Sequence, residues 1–288
     1  MAQQVNFKMK DKNDFMNCLS AIMEHTASKI EVGTIFFHRQ GIVMVSNHKD
    51  NVSALIVTIC SSHLQNYKRD HDKDKATKNL YNRYAIKKSE YDKLKKFFAA
   101  GKEKELEVSI TDRNWTFKNG ALKKTMPTYE GDFDSNKTAD NLRKLFDRVT
   151  GAIQVLGSMK MEAFNRYVRH TEVACRKIPS WERKKATFTV KGKLYTIFSM
   201  LDTDEMEIDI SEELLTPKKK VKELSATINI EELGQASKHF SKLAETAYIR
   251  LDMNVPMVVS NTLNATDEDL YGEPMNFFYL LSPMIDDS

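Results

Sequence analysis

The chain has 288 residues, of which 41% are hydrophobic and 29% charged, with a formal net charge of +4. This apolar content excludes a disordered polymer, and no uninterrupted apolar stretch approaches the roughly 18 residues of a membrane helix. Three scattered cysteines, Cys18, Cys60 and Cys175, with no CxxC pair, argue against a disulfide scaffold or structural zinc site and suit a reducing compartment; no GxGxxG or GxxxxGKS/T run is present to hold a nucleotide phosphate.

The N-terminal run through Phe15 lacks the apolar core of a signal peptide. Val5–Met9 alternates, and Phe15, Leu19, Ile22 and Met23 then fall at helical spacing. Strands are predicted at Thr34–Phe37, Ile42–Ser46 and Ala54–Cys60, and the polar run 66–83 reads as a loop or exposed edge. A helix over Ser89–Ala100 presents Tyr91, Leu94 and Phe98 on one face, followed by strands at Leu106–Ile110, Trp115–Phe117 and Ala121–Tyr129. Residues 131–152 combine loop chemistry with a short helical period closed by Gly151, and read as a connector. The second half predicts a strand at Ile153–Leu156, a helix at Met161–Thr171, and strands at Thr187–Val190, Leu194–Met200, Met206–Ile210 and Ala226–Ile230. A helix at Glu231–Leu243 and strands at Tyr248–Met253, Pro256–Val259 and Asn276–Leu281 complete it.

The two halves repeat one order of elements over about 140 residues, too long a period for a solenoid and consistent with a duplicated unit. The expected fold class is α+β, with two similar domains (1–130 and 153–288), each of antiparallel sheet carrying two short helices on one face.

Three of the four predicted helices carry basic outward faces. Lys88, Lys93, Lys95 and Lys96 lie opposite Tyr91, Leu94 and Phe98. Arg166, Arg169 and His170 lie opposite Met161, Phe164 and Val168, while Gln235, Lys238, His239 and Lys242 lie opposite Leu233, Ala236, Phe240 and Leu243. The first helix offers only Lys12. Any one such face is an ordinary solvated surface; three in equivalent places of a repeat suit phosphate contact without base reading. Few aromatics interleave with the lysines, which favours duplex backbone over stacked single strands.

The run IRLDMNVPMVVSNTL and the ending FFYLLSPMIDDS resemble the C-terminus of proliferating cell nuclear antigen, the eukaryotic and archaeal sliding clamp. GIVMVSNHKDNVSALIVTI is similar to that family's G-V/I-x-L/M-x-S-x-D stretch, and YAIKKSEYDKLKKFFAAG to its second helix. The resemblance implies a non-enzymatic homotrimeric ring without cofactor, whose helices line a hole around double-stranded DNA. It implies DNA polymerase and other client proteins as partners, a clamp loader to open the ring, no membrane, and action in the nucleus or at a viral replication site. On this likeness the DNA-facing residues are Lys88, Lys93, Lys96, Arg166, Arg169, Lys238 and Lys242, with Lys12 weaker. The client groove is formed by Val52, Ala54, Pro256, Leu281, Ser282 and Pro283. Asn47 and Leu280 stand where the family has a methionine and an aromatic; Val52, Ala54 and Pro256 also suit plain core or turn packing. The basic balance and the long segments 66–83 and 119–152 depart from the family and suit a divergent, viral member. The rival reading is a clamp-fold viral transcription or accessory factor that does not encircle DNA; an enzyme hidden in 66–83 or 130–152 lacks a recognisable catalytic set.

The run PKKKVKE at Pro217–Glu223 reads either as a nuclear-import signal or as a solvated loop. The histidines show no metal spacing, and His170 and His239 read as surface residues. Asp202, Asp204, Glu205 and Glu207 lie in a predicted hairpin with no nucleophile or base beside them. Cys60 and Cys175 read as buried small apolar residues.

Overall fold

Alternation of apolar side chains writes most of the strands, and caps delimit the helices. The computed structural model describes residues 4–27, 30–47, 52–69, 82–129, 155–175, 185–192, 194–200, 205–209, 221–252, 255–262 and 272–284. The first half runs β1 (Gln4–Met9), α1 (Lys12–Glu24), β2 (Val32–His38), β3 (Gly41–Asn47), β4 (Ser53–Cys60), β5 (Gln65–Arg69), β6 (Asn82–Lys87), α2 (Lys88–Ala100), β7 (Leu106–Thr111), β8 (Asn114–Asn119) and β9 (Leu122–Pro127). The second runs β10 (Val155–Lys160), α3 (Met161–Cys175), β11 (Lys185–Gly192), β12 (Leu194–Met200), β13 (Glu205–Asp209), β14 (Val221–Asn229), α4 (Ile230–Phe240), β15 (Thr246–Asp252), β16 (Val255–Ser260) and β17 (Met275–Leu281).

Every paired strand is antiparallel. A five-stranded sheet has the order β5-β1-β7-β8-β9 and a four-stranded sheet the order β13-β12-β11-β14. Between them an eight-stranded sheet, β10-β15-β16-β17-β4-β3-β2-β6, joins the halves, with β17 paired to β4 from Met275↔Ile59 to Leu281↔Ser53. The helices pack side by side in the order α2-α1-α4-α3. They cover one face of the sheets, over a core that runs from Phe7 and Phe15 through Phe117 and Trp115 to Phe240 and Tyr279.

Local chemistry explains the helix boundaries. Asp11 caps α1, accepting from the Asn13 N–H at 2.8 Å, and Asn229 caps α4, accepting from the N–H groups of Glu231 and Glu232. Glu231 and Glu232 in the first turn of α4, with Lys238 in its last, complement the helix dipole. At Gly41 φ is +151°, and a Cβ there would collide with the Ile59 carbonyl, so the glycine of the GIVMVS stretch is required by backbone geometry.

Two expectations are refined. The run 66–83, expected as loop or exposed edge, opens with β5 and closes in β6, each the edge strand of its sheet. β5 is fixed by side-chain bonds that periodicity does not register: Tyr67 donates to the His38 and Gly41 carbonyls at 2.7 and 3.1 Å, and Arg69 donates to the Phe37 carbonyl at 2.7 Å. β14 begins at Val221, inside the basic run rather than at Ala226, because its pairing with β11 extends to Gly192. The connector at 131–152, residues 70–81, Pro217–Lys220, Asp202 and Asp204 lie outside the described residues. Cys60 and Cys175 are buried, as expected, and so is Cys18.

Candidate nucleic-acid interface and client groove

The outward side of the helix layer holds the predicted cations. On α2, Lys93, Lys95 and Lys96 are exposed and Lys88 is half-buried. Their surroundings are less basic than the sequence suggests. Lys93 pairs with Glu90 at 2.8 Å, and that hydrogen bond raises the lysine pKa. Lys88 contacts Asp92 at 2.9 Å and Glu24 at 3.7 Å, and Lys95 contacts Glu24 at 2.9 Å. Lys96 makes no ion pair among the described residues. On α3, Arg166 and Arg169 are exposed, the Arg166 guanidinium lying 5.3 Å from the Tyr167 ring centroid. On α4, Lys238 is exposed and donates to Gln235 Oε1 at 2.9 Å; Lys242 is exposed just beyond the helix.

Lys12 is corrected. It is buried, its ammonium donates to the Gly101 carbonyl at the end of α2, and its backbone N–H donates to the Lys104 carbonyl at 2.7 Å. It ties the start of α1 to the end of α2 and is not a surface cation.

His239 is also corrected: it is 7% exposed, not a surface residue, because α4 presses against the end of α1. There Gln235 Nε2 donates to the Glu24 carbonyl at 3.1 Å, and the backbone N–H of Ala27 donates to Glu232 Oε2 at 3.2 Å. Burial pushes the His239 pKa down to about 4; Lys242 and Lys95 push the same way, and Glu24 opposes them. The neutral ring is therefore the folded form. The unfolded pKa near 6.5 lies above the folded one, so the contribution is full above pH ~6.5 and is lost as pH falls toward 4. Thermal melts should show stability falling over that interval by on the order of 2–3 kcal/mol, and His239→Gln should flatten this part of the profile.

Of the predicted groove residues, Val52 packs against the main core, while Ala54 and Leu280 pack on the other face of the eight-stranded sheet. A second apolar cluster there comprises Phe36, Val45, Ile56, Val258, Phe278 and Leu280, with the half-buried Val43, Ala54 and Val255 packed against it. Val52 is half-buried, and its carbonyl accepts from the Ser282 N–H at 2.8 Å. Asn47 ends β3 with its backbone opposite Ala54. Pro256 and Pro283 are half-buried, Pro283 bridging to Ile228 of β14 while the Met284 N–H donates to the Thr227 carbonyl at 2.8 Å. Leu281 is corrected: it is fully buried in the main core, on the helix-covered face, whereas its neighbour Leu280 belongs to the groove cluster. The sequence reading missed Val43 and Val255. The period-two alternation of β3 could have found Val43, since Met44 points the opposite way; Val255 shares its parity with Met257 and reaches this face through the register shift between β15 and β16, which alternation does not register.

The repeat leaves matching edges. By their places in the sheets and chain order, β1, β7, β8 and β9 correspond to β10, β15, β16 and β17, and β2, β3, β4 and β6 correspond to β11, β12, β13 and β14. The β17–β4 pair thus has a counterpart, β9 with β13, whose members each pair on one side only among the described strands. Two of the exposed large apolar side chains, Leu122 on β9 and Val173 on α3, lie at these two ends; α3 packs against β13.

No protein-family model matches the sequence, and no curated protein does. Solved structures do match over nearly the whole length. The PCNA of A. fulgidus, solved with the C-terminal region of FEN-1, is 14% identical with a TM-score of 0.68, covering 99% of this chain and 100% of that one. PCNA from Thermococcus kodakaraensis is 10% identical at a TM-score of 0.68, over 97% and 100% of the two chains. Proliferating cellular nuclear antigen from Entamoeba histolytica is 12% identical at 0.67, over 98% and 99%. With its antiparallel sheets and, among the described residues, a single layer of four helices, the chain has the PCNA-like sliding-clamp fold.

Proposed function

We propose that the protein is a DNA sliding clamp: a homotrimeric ring that encircles duplex DNA, tethers DNA polymerase as a processivity factor and docks other replication and repair proteins. The observation that carries this reading is the pair of unmatched edges. Within the chain, β17 and β4 join the two halves; the equivalent strands β9 and β13 each keep one open edge among the described strands, so β9 of one copy can pair with β13 of the next. Such a head-to-tail contact closes into a ring when the rotation per copy permits, and satisfies edges that a lone copy exposes. The two similar domains are then residues 1–130 and 153–288, linked by the connector 131–152.

In that ring the helix layer faces the hole, and Lys96, Arg166, Arg169, Lys238 and Lys242 meet phosphates, with Lys88 and Lys93 sharing their charge with carboxylates. Phosphate contacts alone carry no sequence information, so the ring slides, and enclosure replaces grip as the source of retention. The apolar strip of Val43, Ala54 and Val255, with Pro256, Ser282 and Pro283 near it, suits an apolar peptide anchor from a client. A clamp loader is required to open the ring, and the nucleus or a viral replication site is where it acts.

Enclosure has a direct test. The protein is incubated with a linear duplex, both ends are then blocked with bound protein, and the salt is raised. Retention with blocked ends and loss with free ends is the expected result. Equal loss from both would leave the non-encircling accessory factor as the better reading.

A further inference from the structure

Glu24 sits at the last turn of α1, where α1, α2 and α4 meet. Its carboxylate reaches Lys95 at 2.9 Å and Lys88 at 3.7 Å, both on α2, and its backbone carbonyl accepts from Gln235 of α4. Burial pushes the Glu24 carboxyl up, but the hydrogen bond and charge of Lys95, with Tyr91 and Lys88, outweigh it and hold the group below its usual range. The hydroxyl of Tyr91 donates to Ser20 Oγ at 3.0 Å, and the Lys88 ammonium lies 4.5 Å from the Tyr91 ring centroid. The carboxylate is thus anchored by its surroundings and stays ionised at neutral pH.

Two of the four α2 lysines therefore share a fixed carboxylate, and a third, Lys93, is paired with Glu90. This is an odd arrangement for a surface meant to hold a polyanion tightly. The gain in binding DNA comes largely from releasing counterions condensed on the phosphates, in proportion to the number of cations the protein brings to them. A lysine already neutralised by a neighbouring carboxylate neutralises less of a phosphate, and the carboxylate repels that phosphate as well.

We propose that Glu24 is an internal counterion that sets the strength of the DNA contact: its negative charge offsets those of Lys88 and Lys95, so that the helix layer attracts duplex DNA weakly enough to slide. The proposal rests on the reading of the helix layer as the DNA-facing surface. It assigns to a carboxylate, not to a lysine, control over friction on the duplex. Its reach is confined to α2, because α3 and α4 carry their exposed cations beyond contact with Glu24.

The test uses the full chain and a short linear duplex, with affinity measured by fluorescence anisotropy from 50 to 300 mM salt. Glu24→Gln should tighten binding about 10-fold at 0.1 M salt and steepen the plot of log affinity against log salt by about 0.9 for each lysine released, hence by 1 to 2. Glu162→Gln, an exposed carboxylate on α3, makes the same change in net charge and should do neither. In a Lys88→Met/Lys95→Met background, Glu24→Gln should lose its effect. An unchanged slope in Glu24→Gln, or an equal gain in Glu162→Gln, overturns the proposal while leaving the DNA-facing assignment standing. Wild-type binding with no salt dependence would overturn both. Circular dichroism melts of each variant separate these outcomes from misfolding, since the α1–α4 contact uses the Glu24 backbone, which the substitution keeps.

Discussion

Replacing Lys96, Arg166 and Lys238 together with glutamate is expected to weaken duplex binding by on the order of 100-fold or more at 0.1 M salt. The three side chains are exposed, one on each of α2, α3 and α4. Each cation withdrawn from a phosphate lowers the salt slope by about 0.9, so withdrawing three lowers it by nearly 3 before repulsion is added. Exposed substitutions away from caps and core change folding stability by about 0.5 kcal/mol or less each, so melting should barely move. Salt-dependent anisotropy, paired with a thermal melt, reads both quantities. Full affinity in the triple variant would show that the helix layer does not face DNA.

Proline at both Lys123 and Thr125 is expected to convert the assembly from trimer to a 33.2 kDa monomer. β8 and β9 are joined through Gly120 and Ala121, with Asn119 opposite Leu122. In such a tight hairpin the pairs alternate, so Leu122 and Lys124 bond inward to β8 while the N–H groups of Lys123 and Thr125 point away from the sheet. Proline there removes donors that only an incoming strand would use. The monomer should keep its fold, and light scattering after gel filtration reads the mass directly. A trimer that survives both prolines would mean that β9 is not the joining edge.

Much of the architecture was legible because burial imposes periodicity. The stripe Tyr91, Leu94 and Phe98 marked α2, and the alternation of Val108 and Ile110 with Glu107 and Ser109 marked β7. β5 was legible only as loop or edge, since its place depends on where the Tyr67 hydroxyl and Arg69 guanidinium find carbonyls in another part of the chain. The site was legible in residue type but not in partnership. Lys12 reads as a cation on a helix start until the end of α2 is seen to arrive at its ammonium. His239 reads as surface until α4 is set against α1, a contact between residues far apart in sequence. Leu281 was assigned to the wrong face by one position in a strand, the smallest error that reverses a side chain's direction.

The polar knot at the end of α1 bears on how an annulus of this fold comes apart. α3 and α1 start alike: the N–H of Met161 donates to the Glu245 carbonyl and that of Lys12 to the Lys104 carbonyl, each just before the following core strand. Counting from those starts, the place of Glu24 is taken on α3 by Val173, and counting α2 against α4, the place of His239 is taken by Phe97. The junction inside each chain is thus latched by charge and hydrogen bonds, whereas in the proposed ring the matching positions at the seam between copies would bring aliphatic and aromatic carbon. Prising such a seam would break no counterpart of this latch, so mechanical opening would be concentrated there while the hinge within each copy stayed shut.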